Sequence, residues 1–167
     1  MIQPFLAFPQ RIAASSAADG INRIPLMTAA TTSGVTISCT SENGSFQSWK
    51  GADRNNSTPF LTASGTIAAV WKVDFGSGSS FIIQSYSMTE LSTEYLGLRY
   101  PSSWTFDGSN DNSTWTTLDT KSSQVSVGAN NKIVFPITNA TGYRYYRINA
   151  TPNPSSLFGW AEVEMMT

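Results

Sequence analysis

The sequence predicts an all-β domain of the sandwich class, and three observations carry that prediction. Charged residues make up only 13 % of the 167, aromatics 12 %, and Ser, Thr, Asn and Gly fill much of the remainder. That is the composition of many short strands joined by polar turns. Short runs alternating apolar and polar residues recur at roughly ten-residue spacing, with turn-forming clusters between them. No stretch shows helical periodicity of useful length, and no internal repeat is present.

Residues 1–34 read as an N-terminal arm, because Pro4, Pro9 and Pro25 interrupt any regular element. Its apolar residues Ile2, Phe5, Leu6 and Phe8 follow no clean period. The arm is read either as an extension packed along the sandwich or as an attachment segment that docks into a neighbouring subunit. Residues 35–167 form the sandwich. Gly34 to Ser41 is the first secure strand, with Val35, Ile37 and Cys39 on one face. The stretch ENGSFQSWKGADRNNSTPF (42–60) is a long turn-rich loop. Val70 to Gly76 is a strand with Trp71 and Val73 inward, and Phe81 to Met88 alternates as another. Residues 89–97 are a loop or a short helical turn.

The stretch from Tyr100 to Leu118 is a hairpin. Trp104 and Phe106 share a face, DGSNDNS makes the turn, and Trp115 with Leu118 begins the return. Its buried face is expected to carry both tryptophans. Val125 and Val127 read as a short strand, Asn130-Asn131 as a turn, and Lys132 to Ile137 as a strand. Tyr143 to Ile148 is rich in β-formers. Residues 152–156 form a loop, and Gly159 to Met165 closes the chain. Trp71, Trp104, Trp115 and Trp160 are all expected in the core, as is the lone Cys39.

Several of these runs have the form of one family's motifs, in that family's order. P-x-S-W-x-F-x-G-S-N-D-x-x-x-W-x-x-L (101–118) resembles the central hairpin of the discoidin, or coagulation factor 5/8 type C, domains. Val70-Trp71-Lys72-Val73-Asp74-Phe75-Gly76 is similar to their W-x-x-V-D-L-G. Tyr143-Arg144-Tyr145-Tyr146-Arg147-Ile148 resembles Y-R-Y-x-R-L, and the stretch from Gly159 to Met165 resembles the terminal x-x-E-I-E-V strand. W-K-G-A-D-R-N-N-S-T-P-F (49–60) resembles the first loop, with Arg54 where Gly is usual and Phe60 where Trp is usual. The resemblance implies a jelly-roll β-sandwich of the galactose-binding-like type, similar to family 32 carbohydrate-binding modules. Such modules bind sugars, lipid head groups or proteins.

Composition also excludes. The formal net charge is −1 with no Lys/Arg block, which argues against nucleic acid. The chain has no histidine, so it lacks the commonest general base and the commonest transition-metal ligand, and a Ser-His-Asp or Cys-His site is impossible. Glu162 and Glu164 are read as facing opposite sides of the closing strand, which excludes a paired acid and base. Catalysis is therefore not expected. With one cysteine, no disulfide can form within the chain. No run is apolar enough to span a membrane, and Glu42, Glu90 and Glu94 beside the candidate loop tips argue against docking on an anionic bilayer. The opening stretch lacks the basic start of a signal peptide.

Two constellations remain. The resemblance implies a structural Ca²⁺ pinning the first long loop to the last strand. Carried over by motif, the ligands are Asp53, Asn55, Ser57 or Thr58, and Glu162. Hard cations take such oxygen sets. Asp74, mid-motif and without a partner base, is expected to be a structural hydrogen-bond acceptor. The resemblance also implies a glycan site on the loops at one end of the sandwich. Its candidates here are Phe46, Trp49, Tyr95, Arg99, Asn153 and Phe158, because rings cover sugar C–H surface and planar donors read hydroxyl pairs.

The expected function is non-catalytic recognition or adhesion, with a glycan as ligand. The expected setting is a bacteriophage virion surface, as a decoration, head-fibre or tail-associated protein. The arm would bind other virion proteins within a homo-oligomeric assembly. The alternatives are a purely structural virion subunit and a carbohydrate-binding module of a larger bacterial protein, extracellular or on the bacterial surface.

Overall fold

The computed structural model describes residues 20–93, 99–151 and 157–167. Eleven strands follow one another: β1 Thr31–Thr32, β2 Val35–Cys39, β3 Phe60–Leu61, β4 Ala69–Asp74, β5 Ser85–Thr89, β6 Ser103–Ser109, β7 Thr116–Lys121, β8 Lys132–Pro136, β9 Tyr145–Thr151, β10 Gly159–Trp160 and β11 Glu162–Met166. A 3₁₀ turn, Ser48–Ala52, precedes β3. The strands make a six-stranded sheet ordered β1-β2-β4-β9-β6-β7, a three-stranded sheet β11-β5-β8 and a small β10-β3 pair. Every pairing is antiparallel. The fold is the all-β sandwich that the sequence predicts.

Alternation explains which side chains meet. In β4 the residues alternate buried and half-buried, so Trp71 and Val73 point inward while Lys72 and Asp74 point out. β9 does the same with Tyr146, Ile148 and Ala150 inward. From the three-stranded sheet, Tyr86, Met88, Val163 and Met165 meet them, all buried. A stack of rings joins the two layers. Tyr86 lies 4.3 Å from Phe106 and 4.9 Å from Phe135, and Phe106 lies 5.5 Å from Tyr146. The Tyr86 hydroxyl accepts from Trp104 Nε1 at 2.8 Å and donates to Asp119 Oδ2 at 2.8 Å, so neither buried polar group is left unpaired.

Asp74 is the acceptor expected of it. Its carboxylate takes a bidentate pair from Arg144 at 2.7 and 2.9 Å and the Gly76 amide at 2.8 Å. The Arg144 guanidinium is the main cause of its lowered pKa. Cys39 is half-buried against the core, and burial pushes its thiol up to about 11.

One detail agrees with the packed-extension reading of the arm, and three differ from the sequence reading. Residues 20–34, counted with the arm, are part of the packed unit. Ile24 and Met27 are each 1 % exposed in the core, Asn22 bridges Met166, and β1 pairs with β2. Residues 1–19 lie outside the described residues. Val125 and Val127 form no strand and stand exposed at 76 % and 46 %. Between Phe81 and Met88 only the stretch from Ser85 is strand; Phe81 makes an isolated bridge to Tyr143.

Trp115 is the fourth. It precedes β7 and packs half-buried on the outer face, where the Arg147 guanidinium sits 4.1 Å over its ring. A register shift in the β6–β7 pair explains this. Phe106 pairs with Asp119 but Asp107 pairs with Thr117, so Leu118 is the extra residue. Trp115 then shares a face with outward Thr117, whose hydroxyl donates to Asp107 at 2.9 Å. Leu118 packs against the core instead.

Candidate functional site

The first long loop is anchored before it reaches the site. Trp71 Nε1 donates to the Ser48 carbonyl at 2.9 Å and the Ser48 amide donates to Glu42 at 2.6 Å, which fixes the 3₁₀ turn against the core. Gly51 lets Trp160 lie close, since a Cβ there would stand 2.6 Å from its Nε1. Asp53 ends the turn, and Arg54 follows with φ +58°. The loop keeps the left-handed bend that Gly permits, with an Arg bearing its strain.

That bend folds the chain into a carboxylate corner. The Asn55 amide donates both to Asp53 Oδ1 at 2.9 Å and to Glu162 Oε1 at 2.8 Å. Thr58 Oγ1 donates to Asp53 Oδ2 at 2.5 Å, and the Ser57 amide donates to Asn55 Oδ1 at 3.1 Å. Glu162 is 7 % exposed, and its Oε2 is buried with no hydrogen-bond partner among the described residues. Burial first, and then the Asp53 carboxylate beside it, push the Glu162 carboxyl up to about 8.

Of the five residues expected to hold Ca²⁺, Asp53, Asn55, Thr58 and Glu162 converge from loop and closing strand. Ser57 enters through its backbone amide while the residue itself is exposed. Among the described residues no three His, Cys, Asp or Glu side chains form a group suited to a metal. A cation here would draw on two carboxylates, neutral side-chain oxygens and backbone carbonyls. An orphaned buried carboxylate oxygen facing a second carboxylate fits a hard divalent ion in charge and donor type. Arg54 forms no ion pair with either carboxylate among the described residues.

Glu162 and Glu164 share a face of β11. Residues two apart on a strand point the same way, and both line one groove of about 380 Å³ beside this corner. The opposite-face reading is thus corrected. The pair is still no catalytic dyad, because Glu162 is tied to the Asn55 amide and Glu164 to Lys132 and Ser87.

The second constellation lies at the end of the sandwich where the described parts of three loops are laced together. The Leu61 amide donates to the Phe46 carbonyl at 3.1 Å, Thr62 exchanges hydrogen bonds with Phe158 at 2.9–3.1 Å, and the Gly159 amide donates to the Arg99 carbonyl at 2.9 Å. Phe46, Trp49 and Arg99 are each half-buried. Trp49 leans on the core, its Nε1 donates to Gln47 at 3.0 Å, and Lys50 Nζ stands 5.8 Å from its ring.

Phe158 is 1 % exposed and stacks 6.1 Å from Trp160, so it has no face to offer a sugar and belongs to the core. Its apolar neighbours on the closing strand pull it in. Tyr95 and Asn153 lie outside the described residues. Glu90, which the sequence reading set beside a loop tip as an acidic neighbour, is buried instead. This carboxylate is 2 % exposed and ties the 122–131 segment to the base of the 90–99 loop through the Val127 amide at 2.5 Å and Ser126 Oγ at 2.6 Å. Nothing in a loop Glu signals burial until its partners are seen.

No family model matches the chain, and no curated relative does. Solved structures do. A chitosan-binding module from a Paenibacillus sp. IK-5 chitosanase/glucanase superposes with a TM-score of 0.64 at 22 % identity, covering 79 % of this chain and 93 % of that one. The family 32 carbohydrate-binding module of Clostridium perfringens NanJ, in complex with galactose, gives 0.65 at 17 % identity, covering 81 % and 95 %. A family 32 module of a C. perfringens family 89 glycoside hydrolase, in complex with GalNAc-β-1,3-galactose, gives 0.67 at 11 %, covering 80 % and 96 %. The chain has the galactose-binding-like, discoidin-type fold of these modules.

Proposed function

We propose that the chain is a non-catalytic glycan-recognition module that binds sugar at the laced loop end. The observation that carries this reading is the backbone lacing there of the segments that bear Phe46 and Arg99. Phe46 and Arg99, each half-buried, stand on segments joined to the chain around β3 and β10 by backbone hydrogen bonds, and the half-buried Trp49 follows Phe46 on the first long loop. Whole modules of the same fold, one named as chitosan-binding and two in complex with galactose or GalNAc-β-1,3-galactose, support it. The carboxylate corner serves as a Ca²⁺ pin. Asp53, Asn55, Thr58 and Glu162 hold the ion, which ties the first loop to β11 and takes no part in chemistry.

A glycan-array screen of the purified protein, with and without EDTA, tests this. Selective binding that is lost in W49A or R99A supports the module, and EDTA sensitivity supports the pin. A blank array with the protein multimerised for avidity overturns it.

The same likeness bears on the setting we propose. Modules from glycan-degrading enzymes match over nearly their whole length, which favours a carbohydrate-binding module of a larger bacterial protein. The virion reading depends on an attachment arm whose first 19 residues lie outside the described ones. Co-sedimentation with purified phage particles tests it.

A further inference from the structure

The groove on the outer face of the three-stranded sheet is a distinct surface from the loop end. Its floor is the cross-strand pair Thr89 and Glu162, 6 % and 7 % exposed. Its rim comes from three separate segments. Arg54 and Asn56 stand on the first loop, Asn130 and Lys132 on the turn into β8, and Glu164 on β11. A volume of about 380 Å³ falls within the range of small-molecule sites.

Two rim residues, Arg54 and Asn130, hold left-handed backbone at φ +58° without being glycine. Each stores strain of a kind that collects at binding surfaces.

The charges say what the groove takes. The rim carries two cations, Arg54 and Lys132, beside Glu164. Lys132 is committed to Glu164, and Glu162 is held at the floor by the Asn55 amide at 2.8 Å. Arg54 is exposed and its guanidinium donates to no partner among the described residues. A guanidinium fork matches a carboxylate in a bidentate pair. The Asn56 and Asn130 amides each offer both donors and an acceptor, which suits vicinal hydroxyls. None of the lining residues is aromatic, so polar contacts rather than ring stacking would hold a ligand.

We propose that this groove is a second saccharide site, specific for acidic sugars, in which Arg54 binds the carboxylate of a uronic acid residue and Asn56 and Asn130 read its hydroxyls. The proposal rests on the reading that the chain binds glycans, but it adds a site on another face and a charge class for its ligand.

The test is an NMR titration of the ¹⁵N-labelled protein with trigalacturonate and, separately, with its neutral counterpart α-1,4-galactotriose. The acid should shift the amides of residues 54–56 and 130–132, and the neutral sugar should not. Arg54→Gly should weaken acid binding at least tenfold, and Asn130→Gly should weaken it by a smaller factor. Glycine adopts φ +58° without strain, so both variants keep the fold. The groove is refuted if the acid shifts residues 43–50 and 99 instead, or if Arg54→Gly binds it unchanged. If the neutral sugar binds at the loop end and the acid binds nowhere, the groove falls and the glycan reading stands. If neither sugar binds and a glycan array is blank, both fall.

Discussion

The buried Glu162 gives this protein a pH dependence that runs against the usual one for carboxylates. In the unfolded chain the group titrates near 4.5; in the fold, burial and the Asp53 carboxylate push it up to about 8. Between those values the folded state keeps a proton that the unfolded state has lost. The folded state is then favoured at low pH, and stability falls as pH rises from the lower value through the upper one. The difference of 3.5, at about 1.4 kcal/mol per pH unit, sets a ceiling of about 5 kcal/mol. Solvent relaxation and sharing of the proton with Asp53 bring the loss between pH 5 and pH 7 to about 1–3 kcal/mol. Against a domain stability of about 5–15 kcal/mol that is measurable.

Urea unfolding in EDTA, at half-unit steps from pH 5 to 8, should show the decline in the wild-type protein and a flatter profile in Glu162→Gln. Millimolar Ca²⁺ should flatten the wild-type profile too, because the ion takes the proton's place between the two carboxylates. The lowered carboxyls of Asp74 and Asp111 act below pH 4 and lie outside this window. Equal slopes for wild type and Glu162→Gln in EDTA would refute the reasoning about the corner.

Trp104→Ala should cost about 3–5 kcal/mol because it empties the core, whereas Trp115→Ala, on the outer face, should cost about 1 kcal/mol; thermal unfolding of both separates the two placements. Glu90→Ala removes the acceptor of a buried amide and a hydroxyl and should cost about 2–4 kcal/mol, with hydrogen exchange rising first across 122–131. Trp49→Ala should abolish loop-end glycan binding while lowering stability by about 1–2 kcal/mol, since the ring is only half-buried; isothermal titration alongside a melt tells loss of site from loss of fold.

Much of the sandwich was legible because alternation is local. Trp71, Val73, Trp104, Phe106 and Tyr146 point inward wherever a period of two says they should. What the period does not carry is a register shift. Leu118 is an ordinary residue in sequence, yet as the extra one in the β6–β7 pair it turns Trp115 outward, and only the partner strand reveals it. The carboxylate corner was legible by family motif, with Arg54 the visible departure. The groove was not. Its rim joins residues 54, 56, 130, 132 and 164, whose nearness depends on β8 and β11 both flanking β5, a long-range pairing that no local pattern encodes. Phe158 was misplaced for the opposite reason. A loop position says nothing about burial when the next two residues pair with β3 and draw the ring in.

The ends of the described domain meet on one sheet edge. A Cβ on Gly20 would stand 2.6 Å from the Thr167 carbonyl, Arg23 bonds Met165, and Thr167 bonds Ile21. Since residues 20–24 run antiparallel to β11, tension applied at Gly20 and Thr167 meets those bonds one at a time, as in opening a zipper, not all together as in shear. Under load this domain should yield first at its own seam, at low force, letting out the 20–24 strip and β11, and with β11 the Glu162 that pins the first loop. Mechanical pull would in that way loosen the carboxylate corner before the six-stranded sheet felt it.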